Sequence, residues 1–155
     1  MADSTIPQEP VKPEVDPCLA MVHALQRVTP SLWSKVDVAH ATLQEQRLKL
    51  LALLGWFGKK NGWAVLTPVP QRYPDMGRHV AGRLGMELTR GSASIRLDVA
   101  FDISKSLALK LRAASQQGAR VLLVTNHPDG RAEVTRQLAE PTPWLHVASK
   151  LPRTL

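Results

Sequence analysis

Residues 95–106 read IRLDVAFDISKS, and how this stretch is read decides the fold. Ile95, Leu97, Val99, Phe101 and Ile103 recur with period two, the spacing of a strand whose side chains alternate between the faces of a sheet. Asp98, Ala100 and Asp102 then share the opposite face. A buried carboxylate is costly unless it is paired. Two aspartates on one face therefore imply either water and basic neighbours, or a bound cation.

The surroundings set this strand in a larger unit. Upstream, RLGMELT (residues 83–89) also alternates and RGSAS turns, so the two runs form a hairpin. WAVLTPVP (residues 63–70) is rich in strand formers, with Pro68 and Pro70 marking an edge or loop. Downstream, Ser104 or Ser106 can cap a helix through KSLALKLRAASQQG, which Gly118 stops. ARVLLVTN (residues 119–126) is apolar nearly throughout, as a strand covered on both faces must be. A helix joining two strands of one sheet is normally a right-handed crossover, which makes residues 95–104 and 119–126 parallel neighbours. GRAEVTRQLA adds a short helix and PWLHVAS a last strand.

Two helices precede the strands. CLAMVHALQRV (residues 18–28) has helical spacing and is expected to end at Thr29-Pro30, with His23 as a core residue. A second helical stretch starts near Ser31 or Asp37. Thr42 and Glu45 have capping-box spacing ahead of RLKLLALLGWFGKK, a run apolar enough for a core helix. The expected class is α/β: a mixed β-sheet flanked by helices, with a helix–three strands–helix–strand core at about residues 40–126.

Composition narrows the function. Residues 1–17 hold four prolines, four acids and one lysine, which reads as a disordered leader before one domain at residues 18–155. No apolar run is long enough for a transmembrane helix, so no membrane partner is expected. One cysteine, Cys18, excludes an intrachain disulfide and fits a reducing, cytoplasmic setting. The whole chain carries +7; the leader contributes −3, leaving +10 on residues 18–155. Lys59, Lys60, Arg72, Arg78, Arg83, Arg90 and Arg96 face only Asp75 and Glu87 between positions 59 and 96. That density of positive charge suits a polyanion, above all nucleic acid.

Phosphate-binding loops, dinucleotide fingerprints, CxxC and HExxH are missing from the sequence, and the five histidines are scattered. VAFDI followed by GARVLLVTNHPDG resembles the opening motifs of haloacid-dehalogenase-type phosphatases, with Asp102 and Thr125 in the two roles. Ser104 stands where that family has its second aspartate, and only thirty residues follow Thr125.

The element order and the acids more closely resemble the PD-(D/E)xK, or restriction-endonuclease-like, nuclease superfamily. That family places acids on the second and third strands of its core, often with a glutamate from the first helix. Glu87, Asp98 and Asp102 match the strand positions and Glu45 the helix. The resemblance implies a Mg²⁺ or Mn²⁺ site at Glu87, Asp98 and Asp102. Lys105 would be the positive group beside the phosphate, and the activity would be metal-dependent phosphodiester hydrolysis of DNA. The family's lysine, two residues after the last acid, falls on Ala100 or Ser104 here, and the literal Pro-Asp at Pro74-Asp75 lies in a polar connection before the second strand. Two readings follow: an active nuclease, or a non-catalytic relative binding nucleic acid or protein in a larger assembly. In the second, Asp98 and Asp102 pair with Arg96, Arg83 or Lys105 as structural groups. Any choice of sequence would then come from a protein partner.

Overall fold

The computed structural model describes residues 16–36, 42–66 and 84–149. Most of the expected leader, the Pro74-Asp75 pair and three of the expected basic contacts, Arg72, Arg78 and Arg83, lie outside the described residues. Four helices and five strands are present among those described. They are α1 (Pro17–Trp33), α2 (Leu43–Lys60), β1 (Ala64–Leu66), β2 (Met86–Arg90), β3 (Ala93–Ala100), α3 (Lys105–Gln116), β4 (Arg120–Thr125), α4 (Gly130–Leu138) and β5 (Leu145–Ser149). No helix among them is long and apolar enough to cross a membrane.

The strands form one mixed sheet in the order β1-β2-β3-β4-β5. The first three make an antiparallel meander, and β4 and β5 join parallel to β3. Gly91 at φ 61° takes the first of the two loop positions between β2 and β3, as a type II′ hairpin turn requires. The expected parallel pairing of β3 with β4 holds from Ile95↔Arg120 to Ala100↔Thr125.

Alternation along β3 and β4 divides the interior into two cores. Ile95, Leu97, Val99, Leu122 and Val124 pack with α1 and α2, while Val121 and Leu123 pack with α3 and α4. The sheet is therefore the middle of three layers, and β4, buried from Val121 to Thr125, is its most enclosed strand. β5 ends the sheet, and its outer edge is capped by side chains. Gln26 donates to the Val147 carbonyl at 2.9 Å, and Arg131 donates to that of Leu145. Capping of this kind hinders a foreign strand from pairing there.

Local signals account for the helix ends. Thr42 and Glu45 form the reciprocal capping box that starts α2. Ser104 caps α3 by accepting from Leu107 N–H at 3.1 Å, and Gly118 follows at φ 92°. The helix expected to stop at Thr29-Pro30 instead runs through Pro30 to Trp33. Proline removes one hydrogen bond and strains the preceding turn. Burial of Leu32 and Trp33 holds the added turn in place, and the edge-on contact of Trp33 with Phe101, centroids 5.8 Å apart, contributes to it. His23, expected in the core, lies on the exposed side of α1. Cys18 is buried in the first turn, where loss of solvent raises the pKa of its thiol above the ordinary range.

α4 ends at Ala139, a non-glycine residue at φ 56°. Left-handed geometry costs an L-residue about 1 kcal/mol that glycine escapes. Ala139→Gly should therefore raise stability by up to about 1 kcal/mol, read as a later midpoint in a urea melt.

Candidate functional site

β3 continues past the start of β2, and this offset creates the most distinctive polar site of the described chain. Met86↔Leu97 is the first pair of the hairpin, so Val99 has no β2 residue beside it. Its backbone groups still require partners. The Val99 N–H donates to Asp98 Oδ1 at 2.8 Å, and the Val99 carbonyl accepts from Arg47 Nε at 3.0 Å. Arg47 Nη2 closes the arrangement by donating to the same Asp98 Oδ1 at 2.7 Å. One guanidinium from α2 and one carboxylate from β3 thus stand in for the missing strand.

Gly85 makes the approach possible. A Cβ at this position would lie 2.7 Å from Asp98 Oδ1 and 3.1 Å from both Arg47 Nη2 and Leu51 Cδ1. Any side chain here would press on the ion pair. Only 10% of the Asp98 side chain and 29% of the Arg47 side chain is exposed. A pair this sheltered is costly to open from one side, because the surviving charge has no partner.

The other expected site residues are placed apart from this pair. Glu87 lies opposite Arg96 in the β2–β3 ladder; its Oε2 accepts from Ser94 Oγ at 2.8 Å and stands 3.6 Å from Arg96 Nε. Arg96 also donates to Gln117 at the end of α3, so this base is tied into the sheet face. Asp102 is exposed, beyond the end of β3. Phe101 packs into the first core and Ile103 into the second, and the chain crosses between faces with Asp102 left outside. Lys105 is exposed at the start of α3, and Glu45 is turned back onto its own helix cap.

The expected convergence of Glu87 with Asp98 and Asp102 is therefore not the arrangement found. Among the described residues, no three His, Cys, Asp or Glu side chains form a group able to hold a metal ion. The chemistry of the donors agrees: Asp98 is engaged by a guanidinium, and Glu87 by Arg96 and Ser94. Such a set does not fit Mg²⁺, which takes free carboxylate oxygens together with water. Arg47 was the residue that sequence reading missed as the partner of Asp98. It lies 51 positions away on a helix and carries no local signal.

Of the expected nucleic-acid contacts that are described, Lys59, Lys60 and Arg90 are exposed. Lys60 Nζ lies 4.9 Å from the ring centroid of Trp56. At the start of β4, Arg120 donates to Asp16 at 2.6 Å, and this bond is the main cause holding the Asp16 carboxyl below its usual range.

His146 on β5 has its pKa lowered, first by burial and then by the positive charges of Arg120, His23 and Arg131. The unfolded chain therefore binds this proton more tightly than the folded one. The associated stability is fully present above the unfolded value of about 6.5 and is lost as pH falls below it. Melting temperature should drop between about pH 7 and pH 5, and His146→Gln should flatten that part of the profile. An unchanged slope in the variant would assign the drop to other groups.

Neither family models, curated proteins nor solved structures give a match to this chain.

Proposed function

We propose that this chain is a non-catalytic restriction-endonuclease-like domain that binds nucleic acid, DNA foremost, as part of a larger assembly. The order α2-β1-β2-β3-α3-β4 supports the fold assignment, since it repeats the helix–three strands–helix–strand core of that family. The observation that carries the functional reading is the bond from Arg47 Nη2 to Asp98 Oδ1. Asp98 stands on the third core strand, where the family keeps a metal-binding acid, and here a guanidinium occupies it. Ala100, two residues on, offers no ammonium group for the phosphate.

The binding half of the proposal rests on charge. Residues 18–155 carry +10, and Lys59, Lys60 and Arg90 reach solvent. Neutralising phosphates releases condensed counterions, so affinity for DNA should fall steeply with salt and vary little with sequence. A protein partner would supply any sequence choice.

Metal affinity tests the non-catalytic half. A ligand that binds only the folded state raises the melting temperature by mass action. Millimolar Mn²⁺ should leave the melt of the full chain where it is. A rise that Asp98→Asn abolishes would mean that this carboxylate ligates metal, and would overturn the reading. Filter retention of labelled DNA across a salt series tests the binding half, and no retention at low salt would remove it.

A further inference from the structure

The solvent side of α2 carries a pattern that core packing does not explain. Lys49, Ala52, Trp56, Lys59 and Lys60 are all exposed and follow one another at helical spacing, while Leu50, Leu51, Leu54, Gly55 and Gly58 face the interior. Trp56 leaves 52% of its surface in water. Its ring has the Lys60 ammonium near it, and the small Ala52 lies one turn before it. Glu45 is the one acid of the helix, and the capping box turns its carboxylate back to the Thr42 N–H at 2.8 Å.

Lys59 and Lys60 also complement the negative end of the helix dipole. That role does not call for an exposed indole, nor for Lys49 about 10 Å further back along the axis. An indole flanked by ammonium groups has two complementary affinities, for the flat face of a base and for the phosphates beside it. Base faces are free only in an unpaired strand.

We infer that the exposed ridge of α2 binds single-stranded nucleic acid, with a base stacked on Trp56 and phosphates held by Lys49, Lys59 and Lys60. The inference rests on the nucleic-acid reading above and names the face and the form of the ligand. In the bound state Lys60 moves from the ring to a neighbouring phosphate, and the base takes ring surface that solvent now covers.

The test uses the full chain, a short oligothymidylate, and an abasic strand with the same phosphates. Trp33 and Trp63 are buried, and Trp144 is half-buried against the core on the opposite face of the sheet from α2, so quenching of tryptophan fluorescence by the oligothymidylate should come mainly from Trp56. Trp56→Ala should weaken oligothymidylate binding by about tenfold and leave abasic-strand binding nearly unchanged. Trp56→Phe should keep most of the affinity and lose most of the quench. Both variants should melt close to the wild type, since the residue is outside the core. Equal oligothymidylate affinity in wild type and Trp56→Ala would overturn this inference and leave the nucleic-acid reading standing. Failure of the wild type to bind any strand at low salt would overturn that reading and this inference with it. Competition by polyglutamate as strong as by oligothymidylate would assign the ridge to an acidic protein and overturn base stacking.

Discussion

Arg47→Ala should be among the most destabilising single changes in this chain, lowering the free energy of unfolding by about 3 kcal/mol. The substitution removes the donor to Asp98 Oδ1 and the donor to the Val99 carbonyl together. It leaves a carboxylate in a site that is largely closed to water. Asp98→Ala should cost a similar amount, because Arg47 and the Val99 N–H then lose their shared acceptor. The two effects will not add. Once one partner is gone the other has little left to lose, so the double variant should resemble the worse single one. Urea melts of the four proteins give the coupling directly. A coupling near zero would mean that the bond contributes nothing to the fold.

The second large effect is on binding. Reversing Lys59, Lys60 and Arg90 to glutamate changes the local charge by six units while touching no buried side chain. Each lost phosphate contact takes about one unit from the slope of log affinity against log salt. The triple variant should therefore bind DNA roughly a hundredfold more weakly near physiological salt, with a visibly flatter salt dependence. Its melting temperature should fall only modestly, through the negative charge placed at the C-terminal end of α2, with the core left intact. Equal retention of variant and wild type would move the interface to another face.

Much of this architecture was legible because local chemistry and global packing agree. The period-two run as far as Ala100 and the apolar run at residues 119–126 read as strands, and Ser104, one of two candidate caps, starts the helix between them. Pro30 misleads because its local cost is outweighed by burial of Leu32 and Trp33, which only the tertiary fold reveals. The acids mislead for a different reason. Alternation correctly put Asp98 on a sheet face, but β3 outruns β2, and the free backbone of Val99 draws the carboxylate and Arg47 to the strand's edge. Asp102 was counted as a strand residue, although β3 ends at Ala100 and the chain changes face around it. The charge excess was plain from composition. Its concentration beside an exposed Trp56 needed the helix to be seen in place.

The most direct test of the proposal that this chain binds nucleic acid while Asp98 serves the fold is one gel. Wild-type chain is mixed with end-labelled DNA at low ionic strength in Mn²⁺, and one half is stripped of protein before loading. The account predicts a retarded band in the untreated half and full-length strand in the stripped half. Shortened strands that depend on Mn²⁺, or a strand that runs free at every protein concentration, would contradict it.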